Sequence, residues 1–304
     1  MRRLKNQYMQ GTKKSQIVLT LVLIATLACV SFVLWWFYKN TSLGQNGTVN
    51  IPVIESLIST DTPQEEEKQE TKIEQFDALV LQKVVEDWAS PKLTDSSHAS
   101  VALMDEDGKL IAGFKADSQY FGASIYKLFV AYEGYRQVDT KSVNPEETYQ
   151  GSRTRIDCLD AMIRDSDSPC AEKLWDELGK QNLTDTFVSY GIENTSMTGL
   201  STTAEDAGKM LSRIAKGPGL SESSRELYLS SMETQDALYR RGFPSGFSSG
   251  VTVYNKVGWN EQQEWHDVGI IKTTDGRKLI YAVMTENVGS KQIAQLAREI
   301  EATF

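Results

Sequence analysis

Three short stretches of the chain carry residues that could do chemistry: Ser124-Ile125-Tyr126-Lys127, Ser166-Asp167-Ser168 and Lys256-Val257-Gly258. In the first, a serine and a lysine stand three residues apart at the head of the apolar, aromatic-rich run FGASIYKLFVAYEGY, Phe121 to Tyr135. On a helix, positions i and i+3 share a face, so Ser124 Oγ and Lys127 Nζ can come within hydrogen-bonding reach. A lysine among apolar neighbours loses solvation of its charged form, which lowers its pKa toward the working pH. Once neutral, it could take the serine proton and leave an alkoxide to attack a carbonyl carbon. A serine in the first turn of a helix also offers its own backbone N–H to the oxyanion that forms. Spacing alone is a weak signal, because a serine followed by a snorkelling lysine is common on ordinary helices.

Hydrophobic periodicity places these stretches on elements. Ile73, Phe76, Val80, Val84 and Trp88 form an apolar stripe at helical spacing that ends before Pro91. ASVALMDEDGKLIAGFK reads as a β-hairpin turning at Glu106-Asp107-Gly108. The Ser124 run reads as a buried helix, followed by a helix around IDCLDAMIRD. SPCAEKLWDELG reads as another, with Pro169 in its first turn. STTAEDAGKMLSRIA is a further helix capped by Thr202 or Thr203. GVTVYNKVGW, WHDVGIIKTTDG and KLIYAVMTE read as three strands, and SKQIAQLAREIEATF as the last helix. Strands from both chain ends with helices between them predict one α/β (α+β) domain over residues 73–304. Its N- and C-terminal strands meet in one antiparallel sheet, flanked by helices and an all-helical subdomain.

Taken in order, the three stretches resemble the motif set of the penicillin-recognising serine hydrolases, the class A β-lactamases and penicillin-binding proteins: Ser-x-x-Lys, Ser-Asp-Asn and Lys-Thr-Gly. Flanking segments resemble the family as well: GSRTRIDCLDAMIRDSDSPCAEKLWDELG around the second motif, STTAEDAGKML, and LYRRGFPSG before NKVGW. The resemblance spans about Glu74 to Phe304. It implies a serine hydrolase working through a Ser124 acyl-enzyme on β-lactams or on the D-Ala-D-Ala ends of peptidoglycan stem peptides. Ser124 would be the nucleophile and Lys127 its base. Ser166 would relay a proton to the departing nitrogen. Lys256 would bind the substrate carboxylate, and its charge would favour neutral Lys127. The backbone N–H groups of Ser124 and Trp259 would form the oxyanion hole, and Gly258 would let substrate backbone approach.

The departures from the family pattern matter equally. Ser168 stands where the family has asparagine, replacing an amide that reaches the substrate by a short hydroxyl. Val257 stands where the family has threonine or serine, removing a hydroxyl donor to the substrate carboxylate. Trp259 puts a large side chain beside the oxyanion, unless strand alternation turns it away. Class A β-lactamases carry a long loop whose glutamate activates water to release the acyl group. Here the route from YGIENTSMTGL to STTAEDAG is too short for that loop, and neither Glu193 nor Glu205 falls at the expected place. Losing such a base would slow release by roughly 10²–10⁴-fold. The resemblance therefore implies a site that acylates and releases slowly, or a cell-wall binding or sensing domain that keeps the pocket without turnover.

Composition and chain ends exclude other classes. The 304 residues include 32 Lys and Arg against 41 Asp and Glu, a formal charge of −9, which disfavours nucleic acid as a partner. Two histidines, His98 and His266, and three scattered cysteines show no metal-ligand spacing, so neither metal nor cofactor is expected. His266 reads as a strand residue and His98 as a surface one. Cys158 and Cys170 flank the Ser166 loop on consecutive helices. A disulfide is possible in an oxidising compartment, but two buried free thiols are the expectation.

Ile17 to Phe37 is 21 residues without a charge, enough as a helix to cross the roughly 30 Å of bilayer hydrocarbon. Arg2, Arg3, Lys5, Lys13 and Lys14 precede it and predict a cytoplasmic N-terminus. The expected organisation is a basic cytoplasmic tail (1–16), an uncleaved transmembrane signal-anchor (17–38) and a flexible acidic stalk (39–72) carrying TDTPQEEEKQETK. Signal cleavage and lipidation at Cys29 are the competing readings. The catalytic domain would then face the extracytoplasmic side as a membrane-tethered monomer.

Overall fold

The structure, a computed structural model, describes residues 76–92, 98–260 and 264–304. The tail, anchor and stalk expected at the N-terminus lie outside the described residues. Among the described residues no helix is long and apolar enough to cross a membrane.

The chain first forms helix α1 (Ala78–Lys92). Its buried face is Leu81, Val85, Trp88 and Ala89, while Val80 is 44% exposed. The stripe read from the sequence is thus rotated by about one position, because Leu81 and Val85 complete the i, i+4, i+7 row that ends on Trp88. Strands β1 (His98–Met104) and β2 (Leu110–Phe114) follow as the expected hairpin. Gly108 makes the turn at φ +78°, a conformation that favours glycine.

A block of helices interrupts the sheet. Strand β3 (Tyr120–Phe121) leads through a 3₁₀ turn (Ala123–Ile125) into α2 (Tyr126–Asp139). The short hairpin β4 (Thr148–Gln150) and β5 (Arg153–Thr154) precedes α3 (Arg155–Arg164) and α4 (Ser168–Leu178). Helix α5 (Lys180–Ser189), strand β6 (Ser201–Thr202), α6 (Ala204–Lys216) and α7 (Glu222–Glu233) complete the block. Helices α5 and α7 have no counterpart in the sequence reading. Side chains fix the starts: Thr154 forms a capping box with Asp157, and Thr203, one of the two residues foreseen, caps α6. Gly134 of α2 lies where a Cβ would stand 2.5 Å from Leu159 and 2.7 Å from Leu174. A larger residue there would push both leucine side chains aside, so glycine eases the close packing of α2 on α3 and α4, the helices that bracket Ser166.

The chain then returns through β7 (Thr252–Trp259), β8 (Trp265–Lys272), β9 (Lys278–Glu286) and α8 (Ser290–Glu301). The five long strands form one antiparallel sheet in the order β2-β1-β9-β8-β7, so strands from both chain ends meet as predicted. β9 is buried on both faces. Leu279, Tyr281 and Val283 pack in one core with α1 and α8, and Ile280, Ala282 and Met284 in another with the helical block. Closing the sheet in this order brings the edge strand β7 against the turn that carries Ser124.

Candidate active site

Ser124 sits half-buried on the 3₁₀ turn just before α2. Two tethers hold that turn: β3 pairs with β6, and Gly122 N–H donates to Leu200 O at 2.7 Å. Ala123 is held at φ +42°, a strained conformation for a residue with a Cβ, immediately before the candidate nucleophile. Lys127, three residues on, is 1% exposed.

Ser166 lies at the reversal between α3 and α4. Its φ of +55° is again in the left-handed region, and Asp167 caps α4 by accepting from Cys170 N–H at 2.9 Å. This sharp reversal makes α3 and α4 neighbours, and Cys158 and Cys170, with Cα atoms 5.2 Å apart, form a disulfide. The expectation of two free thiols is therefore corrected. The capped turn brings the pair inside the separation a disulfide can span.

Strand β7 supplies the third part. Lys256 and Gly258 face the helical block, in register with Val268 and His266, and Val257 and Trp259 face the opposite side. Lys256 is fully buried, and its Nζ donates to Ser166 Oγ at 3.0 Å and to Val257 O at 2.9 Å. Lys127 Nζ donates to Ser166 O at 2.5 Å, to Ser168 Oγ at 3.1 Å and to Ser166 Oγ at 3.3 Å. Two lysines from elements far apart in sequence thus converge on one serine hydroxyl. Among the described residues, no hydrogen bond joins Lys127 to Ser124.

The edge of β7 also settles where its peptide groups point. Val253 O accepts from Arg240, Asn255 O from Gln235 Nε2, and Val257 O from Lys256, all donors off the sheet edge. In an antiparallel strand, alternate residues direct both N–H and C=O to the same side. The N–H of Trp259 therefore also faces outward past the edge, as an oxyanion donor must.

Three residues expected at the site have different local reasons. Val257 is 1% exposed on the far face, so its side chain offers a substrate no surface. The Trp259 ring lies on that same face, stacked on Trp265 with centroids 6.3 Å apart, which leaves only its backbone N–H for the site. A Cβ at Gly258 would fall 2.9 Å from Gly122 O and 3.1 Å from Ile125 N. Glycine is required there by the protein's own Ser124 turn.

Sequence reasoning missed a positioning role for His266. Its Nδ1 accepts from Thr285 N–H at 3.0 Å, so the proton lies on Nε2, which donates to Phe121 O at 2.8 Å. Burial pushes the ring down to about 4, keeping it neutral. It ties β8 to the residue leading into the Ser124 turn. A polar ring alternating among apolar strand residues was the one available signal.

Burial lowers both lysines, not Lys127 alone. Burial lowers Lys127 to about 8, against the opposing pull of Asp167 and Glu172. Lys256 is pushed well below its ordinary value, first by complete burial and then by the charge of Lys127, with Asp267 opposing. The charge of each lysine thus opposes that of the other, and the buried pair resists carrying two protons at once.

An open groove runs beside the Ser124 turn, lined by residues that include Ala123, Tyr126, Ser168, Glu172, Trp175 and Leu200. Ser168 is exposed at its rim. Neither Glu193 nor Glu205 lines it, and Glu205 is paired with Lys209 at 2.9 Å on α6. Among the described residues, no cluster of three or more His, Cys, Asp or Glu side chains is placed to hold a metal ion.

Residues 81–304 match the family model described as the β-lactamase enzyme family. Among solved structures, PBP-A is 22% identical, with a TM-score of 0.65 over 74% of this chain and 95% of that one. A class A β-lactamase from Bacteroides cellulosilyticus is 15% identical, with a TM-score of 0.65 over 76% of this chain and 99% of that one. The ancestral class A β-lactamase GNCA is 18% identical, with a TM-score of 0.66 over 74% of this chain and 100% of that one. At these identities the likeness is one of fold. No curated protein matches the chain by sequence.

Proposed function

Because this chain belongs to the β-lactamase enzyme family, we propose that it is a serine hydrolase that forms an acyl-enzyme on Ser124 with β-lactams or with D-Ala-D-Ala-type peptidoglycan stems. The observation that carries this reading is the convergence of Lys127 and Lys256 on Ser166 Oγ, at 3.3 and 3.0 Å, beside the Ser124 turn. A substrate carboxylate arriving at Lys256 stabilises its ammonium form. The proton reaches it from Lys127 across the Ser166 hydroxyl, which donates one proton and accepts another. Lys127 is left neutral beside Ser124 as the base, and Lys256 becomes the cation that holds the carboxylate. Ser124 Oγ then bonds to the carbonyl carbon, its proton passes to Lys127, and the oxyanion is held by the N–H groups of Ser124 and Trp259. Ser166 delivers that proton to the departing nitrogen as the carbon–nitrogen bond breaks.

Release of the acyl group is slower than acylation in this reading: neither Glu193 nor Glu205 lines the groove, so release depends on some other base there. The uncharged run Ile17–Phe37 and its basic flank support a single-pass anchor with the 73–304 domain on the extracytoplasmic side. A second reading, a cell-wall binding or sensing domain without turnover, is favoured by one observation. Among the described residues, the hydrogen bonds of Lys127 all go to Ser166 and Ser168.

Intact mass spectrometry of the full chain with benzylpenicillin, beside Ser124→Ala, separates the two. A mass increase of one penicillin in the parent and none in the variant is expected. Neither adduct nor turnover with several β-lactams and a D-Ala-D-Ala peptide would leave the sensing reading.

A further inference from the structure

The groove beside Ser124 holds a carboxylate that the acylation chemistry does not use. Glu172 stands one helical turn after Ser168 on α4, and residues at i and i+4 share a face. Both line the groove with Ala123 and Tyr126, whose chain passes directly through Ser124. The second carboxylate there, Asp176, is committed: it pairs with Lys180 Nζ at 3.1 Å, and that ammonium also lies 3.8 Å from the Trp175 ring. Among the described residues, no hydrogen bond or ion pair engages the carboxylate of Glu172. Its charge is nonetheless felt at Lys127. Glu172 is thus an exposed, unengaged acceptor on the open side of the site, where water has access.

We propose that Glu172 is the general base that activates water to release the acyl group from Ser124. This rests on the acyl-enzyme reading above and supplies the step that Glu193 and Glu205 cannot. The Glu172 carboxylate takes one proton from a groove water as its oxygen bonds to the acyl carbonyl carbon, and the carbonyl electron pair moves onto oxygen. Collapse of that oxyanion breaks the bond between the carbonyl carbon and Ser124 Oγ. Glu172 returns the proton to Oγ, so one water and one ester become a carboxylic acid and free serine. The base comes from the helix that carries the second motif, whereas the resemblance places it on a separate long loop. General-base assistance of this kind is worth roughly 10²–10⁴-fold when well aligned.

The test compares the full chain with Glu172→Gln and Asp176→Asn, following acylation rate and adduct lifetime with benzylpenicillin by time-resolved intact mass. Glu172→Gln should acylate within about threefold of the parent and hold its adduct at least tenfold longer, as expected for a lost general base. Asp176→Asn should match the parent in both. Equal adduct lifetimes in the parent and Glu172→Gln would overturn the role of Glu172 while leaving the Ser124 reading intact. A parallel loss of acylation in Glu172→Gln would place the residue in the wrong half-reaction and overturn it too. No adduct and no turnover in the parent would overturn the acyl-enzyme reading, and the role of Glu172 with it.

Discussion

The two edges of the central sheet meet the same problem in different ways. An edge strand presents peptide groups that no neighbouring strand satisfies. At β2 a single side chain closes the gap. Gln82 of α1 accepts from Gly113 N–H at 2.9 Å and donates to Gly113 O at 3.2 Å. At β7 the outward carbonyls of Val253, Asn255 and Val257 are taken in turn by Arg240, Gln235 and Lys256, and the next outward group is the N–H of Trp259. Behind them Asp267, fully buried and pushed up to about 7 by that burial, accepts from Phe243 N–H, Asn255 Nδ2 and Tyr281 OH. One edge is closed. The other is held at three carbonyls and left with a donor pointing outward beside the Ser124 turn.

The largest effect should come from disturbing the open edge at its closest approach. In Gly258→Ala the new Cβ meets two backbone atoms of the Ser124 turn, at 2.9 and 3.1 Å, and backbone cannot rotate aside as a side chain can. The turn must move off β7, separating the two oxyanion donors. A displacement of this order costs roughly 100-fold in rate, so acylation by benzylpenicillin should fall at least that far. Gly113→Ala is the matched change on the closed edge, with its Cβ 3.0 Å from Val101 O. It should lower the melting temperature without slowing acylation. Equal loss of acylation from both would erase the distinction between the edges.

Next in size is pH. The two lysines titrate as a coupled pair through Ser166, and the productive form carries one proton between them. Burial depresses both lysines and holds Lys127 at about 8, so the pair sheds a proton as the pH rises past 8. Above that pH the fraction of pairs that keep an ammonium for the substrate carboxylate falls. The acylation rate constant at low substrate should therefore fall about tenfold per pH unit above 8, since binding needs the protonated pair. A rate that instead rises through pH 8 to a plateau would restore the simpler order, with Lys256 charged throughout and Lys127 alone titrating.

That order shows where sequence reading stops. Ser124 and Lys127, Ser166 and Lys256 are legible because each motif is local, and helical spacing or strand alternation follows from neighbours in the chain. The hairpin at Gly108 and the cap at Thr203 are legible for the same reason. What is lost depends on contacts between distant segments. Val257 reads as a site residue until the face it points to is known, and Gly258 reads as serving a substrate until the Ser124 turn is found against it. The Cys158–Cys170 disulfide depends on how sharply Ser166 and Asp167 reverse the chain. Lys256 is pushed down because the fold buries it completely, and no pattern within YNKVGW reports that.

The smallest effect belongs to the closed edge and tests whether it matters to chemistry at all. Gln82→Ala removes both hydrogen bonds to Gly113, leaving a partly buried N–H and C=O to find water. A net hydrogen bond is worth about 0.5–1.5 kcal/mol, so the loss should be about 1–3 kcal/mol, visible as a lower urea midpoint with an unchanged m-value. Acylation of Ser124 should stay at the parent rate, because the β2–β1 hairpin reaches β7 only across β9 and β8. If Gln82→Ala slowed acylation as well, the sheet would be transmitting strain from one edge to the other, and the open edge would owe its geometry to the closed one.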